Sequence, residues 1–170
     1  MEFRDTEEQQ SIREAIRKVC GDFPDAYWRA LDKHGEYPQA FVDRLTKDSW
    51  LAALIPEEHG GMGLGITEAC IILEEINHSG GNATACHAQM YTMGTLLRHG
   101  SDEQKRRYLP SIARGELRLQ AFAVTEPNAG TETTRLQTTA VRKGNRYVVN
   151  GQKIFITRVL QSDLMLLLAR

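Results

Sequence analysis

The stretch of this chain best equipped for chemistry is Phe122-Ala123-Val124-Thr125-Glu126-Pro127-Asn128-Ala129-Gly130-Thr131-Glu132. A strand is expected to end here in a loop that Pro127 stiffens, with Gly130 supplying a backbone conformation other residues dislike. Hydroxyls and free backbone N–H groups in such a loop could hold an anion or the polar edge of a ring. An ordinary strand-to-strand turn is the competing reading. A second glycine-rich run, Pro56-Glu57-Glu58-His59-Gly60-Gly61-Met62-Gly63-Leu64-Gly65, lacks both the GxGxxG order and a following Lys-Ser/Thr. It is therefore expected to be a flexible connector between helices rather than a phosphate loop.

Other reactive side chains carry less. His78, His87 and His99 share no metal-ligand spacing, so no metal is expected and capping or packing roles fit them better. The three cysteines, Cys20, Cys70 and Cys86, form no recognisable pattern and are expected as buried free thiols of a cytoplasmic protein. Asn82-Ala83-Thr84 matches a glycosylation sequon, which means nothing without a secretory signal, and the polar stretch Met1–Glu8 does not resemble one.

With 170 residues, 41% hydrophobic and 25% charged, the chain has the composition of a folded globular protein. A net charge of −1 gives no footprint for nucleic acid, and no apolar run suits membrane insertion.

The elements that must position the 122–132 stretch change character along the chain. Ile12, Ala15, Ile16, Val19 and Phe23 paint one helical stripe, opened by a capping box of Thr6 and Gln9. A short helix is expected between Pro24 and Gly35, and Pro38 opens another with Phe41, Val42 and Leu45 inward. Ile66, Ala69, Leu73 and Ile76 mark a further amphipathic helix, stopped by Gly80-Gly81. Residues 82–99 leave little polar face and should be buried on most sides, and Ser101 to Gln104 caps one more helix, with Pro110 as a bend. Trp28 and Trp50 are expected in the helical core.

From Leu117 the period becomes two: Leu119, Ala121 and Ala123 alternate with Arg118, Gln120 and Phe122. Residues 138–142 and 147–149 flank Gly144-Asn145 as a hairpin, and residues 153–157 and 164–169 read as further strands. The last segment is apolar on both faces and should want neighbours on both sides, which suggests a fragment. The expected fold class is α+β: an all-α helical bundle over residues 1–117, then a partial antiparallel β barrel over residues 118–170.

Residues 122–132 resemble the acyl-CoA dehydrogenase signature, in which a strand leads into Thr-Glu-Pro, two variable residues and Gly-Ser-Asp. The Pro56–Gly63 loop, Asp102-Glu103-Gln104-Lys105 with Tyr108-Leu109-Pro110, and Asn150-Gly151-Gln152-Lys153-Ile154-Phe155-Ile156-Thr157 are similar to other stretches of that family, in the same order. The resemblance implies FAD as cofactor. Phe122, Ala123, Val124 and Thr125 would lie against the flavin, with the Thr125 hydroxyl at the ring's polar edge. Gly130 and Thr131 would meet the FAD pyrophosphate, and Thr131 would also contact the acyl-CoA. Phe155, Ile156 and Thr157 would lie beside the isoalloxazine, with Thr157 near N5. His87, Met90 and Met93 fall where part of the acyl pocket is implied, although core packing explains them equally well.

The implied activity is α,β-dehydrogenation of an acyl-CoA, with hydride passing to the flavin and electrons to an electron-transfer flavoprotein. The full-length enzyme is implied to be a homo-oligomer. No residue here matches the family's glutamate base, so no catalytic residue is assigned. Three positions depart from the family: Thr131 for Ser, Glu132 for Asp and Phe155 for Trp. The alternatives are a related flavin oxidase or monooxygenase, and a truncated, non-catalytic flavin-binding or interaction module.

Overall fold

The computed structural model describes residues 4–170; Met1–Phe3, the start of the acidic N-terminal stretch, lie outside them. The chain folds as two compact units that meet in sequence at Leu117/Arg118. Among the described residues, the first holds six α-helices: α1 (Glu7–Gly21), α2 (Asp25–His34), α3 (Gln39–Lys47), α4 (Ile66–His78), α5 (Thr84–His99) and α6 (Asp102–Ala113). The second holds four short strands: β1 (Leu119–Ala123), β2 (Thr139–Lys143), β3 (Arg146–Asn150) and β4 (Leu164–Leu167).

Local chemistry sets most helix ends. The Thr6 hydroxyl accepts from the Gln9 amide while the Gln9 side chain accepts from the Thr6 amide, satisfying two donors that the first turn leaves orphaned. Ser101 and Gln104 repeat the device at α6. Gly35 closes α2 with φ of +64°, a left-handed conformation in which a Cβ would be strained. The stripes then choose what is buried: Ile12, Ile16 and Val19 from α1, and Phe41, Val42 and Leu45 from α3. Phe23, Tyr27, Trp28 and Phe41 pack edge-to-face with centroids 4.9–5.2 Å apart, and the half-buried Trp28 indole donates to the Phe23 carbonyl. Trp50 is buried in the same core.

Several expectations need correction. Ile66 is 71% exposed, because it is the first residue of α4 and precedes the buried face that Ala69, Ile72 and Ile76 form. Cys20 and Cys86 are buried, but Cys70 points outward, one position round α4 from Ala69. Complete burial pushes the Cys86 thiol up to about 12. The 56–65 connector is held rather than loose. Amides of Met62, Gly63 and Leu64 donate to the carbonyls of Ala52, Ile55 and Ala53. A Cβ on Gly61 would sit 2.6 Å from the Ile55 carbonyl carbon, so only glycine allows this close approach.

Glu75 of α4 lies on a face that is otherwise apolar and is 3% exposed. Its carboxylate accepts from Arg13 Nη1 at 2.7 Å, Arg17 Nε at 2.7 Å and Arg17 Nη2 at 3.0 Å. Gln9 Nε2 reaches Glu68 Oε1 at 3.0 Å near the start of both helices. α1 and α4 are thus pinned by polar contacts at two levels, with the apolar stripe between.

The second unit departs most from expectation. Its described strands form two two-stranded sheets and no closed barrel. The β2–β3 hairpin is antiparallel and turns through Gly144-Asn145, with Gly144 at φ +64°. β1 and β4, however, pair in parallel, with Ala121 opposite Met165, Phe122 opposite Leu166 and Ala123 opposite Leu167. Parallel pairing needs a long crossover, which residues 124–163 supply. Beyond β4, Arg170 bonds with the Thr138 carbonyl and the Ala140 amide. Gln120, expected on the polar side of β1, is fully buried.

Residues 153–157 are not a strand. The Ile154 amide donates to the Thr125 carbonyl at 2.9 Å, but Phe155 then adopts φ of +56° and breaks any ladder. Apolar side chains are left exposed in this unit: Val141, Tyr147, Val148 and Val149 on the hairpin, Met165 on β4, and Phe155 and Leu160 in the crossover.

Candidate functional site

The site builds outward from the end of β1. Phe122 and Ala123 close the strand, Ala123 fully buried and Phe122 partly so, and Val124 and Thr125 continue it half-buried. The chain then tightens into a turn in which Glu126 and Ala129 exchange backbone hydrogen bonds of 2.8 and 3.2 Å around the exposed Pro127 and Asn128. Gly130, Thr131 and Glu132 follow in an exposed loop, and residues 133–135 form one short 3-10 turn.

The Glu126 side chain organises this region. It is 6% exposed, and its oxygens accept from the Gln137 amide at 2.6 Å, the Thr138 amide at 2.9 Å and Lys153 Nζ at 2.9 Å. Lys153 Nζ also donates to the Val124 carbonyl at 2.8 Å. Thr138 first, then the Gln137 amide and the Lys153 ammonium, push the Glu126 carboxyl down to about 2. A carboxylate with so little proton affinity is unsuited to act as a general base near neutral pH.

Of the expected flavin-contacting residues, the structure brings two groups together. Phe122 to Thr125 lie alongside the 153–154 segment through the Ile154–Thr125 and Lys153–Val124 bonds, and Phe155, Ile156 and Thr157 follow directly. Phe155 is 87% exposed, Thr157 is exposed and Ile156 is half-buried. No bond ties Gly130 or Thr131 to the 155–157 segment; they sit one turn beyond Glu126 on the same loop.

Gly130 does not take the strained backbone conformation expected of it. Its φ lies outside the left-handed region, and a Cβ there would meet nothing within 4 Å. What distinguishes it is open space, which lets another molecule approach the backbone. Glu132, the residue with the extra methylene, is accommodated at the surface, where it faces Arg135 at 3.6 Å. In the helical unit Met90 and Met93 are buried, while His87 is exposed and lies against Tyr91 with ring centroids 4.9 Å apart.

Sequence reasoning missed Lys153, Thr138 and Gly151 as partners of the loop. The Asn150-Gly151-Gln152-Lys153 run hinted at Gly151 and Lys153 alone, since a charge-bearing lysine read as part of a strand does not announce burial. A Cβ on Gly151 would come within 2.7 Å of Thr138 Cα, so glycine is what lets the chain pass there.

The architecture is that of a helical unit followed by a small unit of two two-stranded sheets, whose first strand ends in a carboxylate-braced loop. Residues 6–116 match the acyl-CoA dehydrogenase N-terminal domain and residues 121–170 its middle domain. The chain belongs to the acyl-CoA dehydrogenase family. Among curated relatives it is 38% identical to acyl-CoA dehydrogenase FadE29 and 32% identical to FadE12, both of Mycobacterium tuberculosis. The alignments cover 97% and 99% of this chain and 43% of each relative. The chain therefore spans less than half the length of these relatives.

Solved structures agree. An acyl-CoA dehydrogenase from Geobacillus kaustophilus superposes with a TM-score of 0.89 at 29% identity, covering 100% of this chain and 45% of that one. PigA, solved with FAD and proline, gives 0.90 at 26% identity over 100% and 45%. The prolyl acyl carrier protein oxidase AnaB gives 0.87 at 26% over 98% and 45%. Among the described residues, no helix is long and apolar enough to cross a membrane.

Proposed function

We propose that this chain supplies the flavin-holding part of an FAD-dependent dehydrogenase that oxidises an acyl-CoA thioester between its α- and β-carbons. Electrons would then pass to an electron-transfer flavoprotein, and the working enzyme would be a homo-oligomer. The observation that carries the reading is the 2.9 Å bond from the Ile154 amide to the Thr125 carbonyl. It sets side by side the two sequence runs that resemble the family's flavin-contacting segments.

The residues present fit the cofactor. Gly130 has open space above its Cα, and the amides of Gly130 and Thr131 have no partner among the described residues. Such donors suit a pyrophosphate. The Thr131 hydroxyl is exposed beside them, free to meet the pyrophosphate and the acyl-CoA. Phe122, Ala123 and Val124 would present the apolar strand end to the ring, and the Thr125 hydroxyl its polar edge. Phe155 and Ile156 would cover the ring from the neighbouring segment, with Thr157 near N5. FAD, when bound, supplies the hydride acceptor; the protein orients it and excludes water. Glu126 stays ionised and hydrogen-bonded, so it braces the loop and takes no proton from substrate. The α-proton is assigned to a glutamate that the family resemblance places in a further helical domain.

A second reading, a flavin oxidase, is favoured by the likeness to AnaB and PigA. One experiment separates the two. Full-length protein is reduced anaerobically with an acyl-CoA and then exposed to air. Bleaching by the thioester followed by slow reoxidation supports the dehydrogenase, whereas reoxidation within seconds supports the oxidase. A flavin that never bleaches with any acyl-CoA would overturn the acyl-CoA reading and leave an oxidase of another substrate or a non-catalytic flavin-binding module.

A further inference from the structure

Three separate stretches of the second unit meet at one carboxylate. Glu126 takes the amides of Gln137 and Thr138, and Lys153 bridges Glu126 to the Val124 carbonyl. We propose that Glu126 and Lys153 are positioning residues, a buried lock that sets the register of the 153–157 segment against Val124-Thr125 and so sets the two walls of the flavin site.

The energetics argue for geometry over stability. The two side chains are 5% and 9% exposed, and burying a charge pair returns little net stabilisation compared with an apolar pair of equal volume. An apolar pair would fill the space but tolerate sliding. A slip of this irregular segment would carry Phe155, Ile156 and Thr157 away from their places beside Val124-Thr125, since only the Ile154 amide and Lys153 tie it there. Lys153 resists that slip because its ammonium must reach Glu126 and the Val124 carbonyl together, at 2.9 and 2.8 Å. The carbonyl adjoins Thr125, whose own carbonyl takes the Ile154 amide. Gly151 completes the lock, since any side chain there would collide with Thr138 and lift the segment away.

This inference deepens the flavin reading and rests on it for its functional part, so the test has one arm that needs no flavin. In the full-length protein, Lys153→Met and the double variant Lys153→Met/Glu126→Gln are compared with wild type. Hydrogen exchange at the Ile154 amide is measured without FAD, and the FAD dissociation constant and visible spectrum are measured with it.

Lys153→Met should speed Ile154 exchange about tenfold or more relative to amides of the β2–β3 hairpin. The double variant removes the stranded charge but offers one acceptor oxygen where the carboxylate offers two, so it should recover part of the thermal midpoint lost in Lys153→Met. It should still exchange fast at Ile154, bind FAD about tenfold or more weakly and show a shifted flavin spectrum. A double variant with wild-type exchange and wild-type FAD affinity would overturn the proposal, because charge compensation alone would then account for the pair. If wild-type protein binds no FAD, the functional reading fails, and the exchange arm still decides whether the lock exists. Unchanged Ile154 exchange in Lys153→Met would overturn it.

Discussion

The Glu75 ion cluster offers a prediction whose size follows from the structure. Its side chain is 4% exposed and is held by three charge-assisted bonds of 2.7–3.0 Å from Arg13 and Arg17. Replacing both arginines with methionine keeps most of the apolar stem packing but strands a carboxylate among apolar side chains. Breaking a buried pair from one side costs about 3–5 kcal/mol, and the 57% exposure of Arg17 puts this cluster at the low end. Arg13 also meets Asp5 and Glu74, whose side chains are 33% and 63% exposed. Such surface pairs add roughly 0–1 kcal/mol each.

For a chain of 170 residues, each kcal/mol moves the thermal midpoint by about 2–4 °C, so the midpoint should fall by roughly 10 °C. Circular dichroism at 222 nm during heating reads this directly. Adding Glu75→Met to the pair removes the stranded charge and should restore most of the loss. A double variant that melts within roughly 1 °C of wild type would refute the reasoning, since the carboxylate would then be hydrated and not buried.

Three further outcomes are expected. Gly61→Ala should lower the thermal midpoint by a cost of about 1–3 kcal/mol, because its Cβ would overlap the Ile55 backbone and one of the two must shift; an unchanged midpoint would show that the connector yields freely. Glu126, whose carboxyl is pushed down to about 2, binds its proton more weakly folded than unfolded. Its contribution should therefore be fully present above about pH 4.5 and fade as pH falls towards 2. A carboxyl carbon-13 titration that places Glu126 at an ordinary glutamate value would contradict this. Gly130→Val should leave folding stability unchanged within about 0.5 kcal/mol, since the site is open, while weakening FAD binding by crowding the backbone; a matched loss of stability would mean that the loop is strained after all.

Features written into a few neighbouring residues were legible in the sequence. The Thr6–Gln9 and Ser101–Gln104 caps, Gly35 at a helix end and the Gly144-Asn145 turn each depend on contacts within a few positions. Features that depend on distant partners were not. Nothing near Glu75 announces that two arginines 58 and 62 positions earlier will hold it inside. The parallel pairing of β1 with β4 also escaped, because alternation marks a strand without naming its neighbour or direction. Residues 153–157 carry strand-forming side chains, yet Phe155 takes a left-handed φ once Lys153 and Ile154 are tied to the β1 extension. At the site, the motif residues were found by resemblance, while the Glu126–Lys153 lock behind them became visible only in three dimensions.

The most direct test of the account is a crystal structure of the full-length protein with FAD. The isoalloxazine should lie between Val124-Thr125 and Phe155–Thr157, with the Thr125 and Thr157 hydroxyls within about 3.2 Å of ring heteroatoms and the pyrophosphate at Gly130-Thr131. A flavin bound elsewhere, or a protein that takes up no FAD at all, would contradict it.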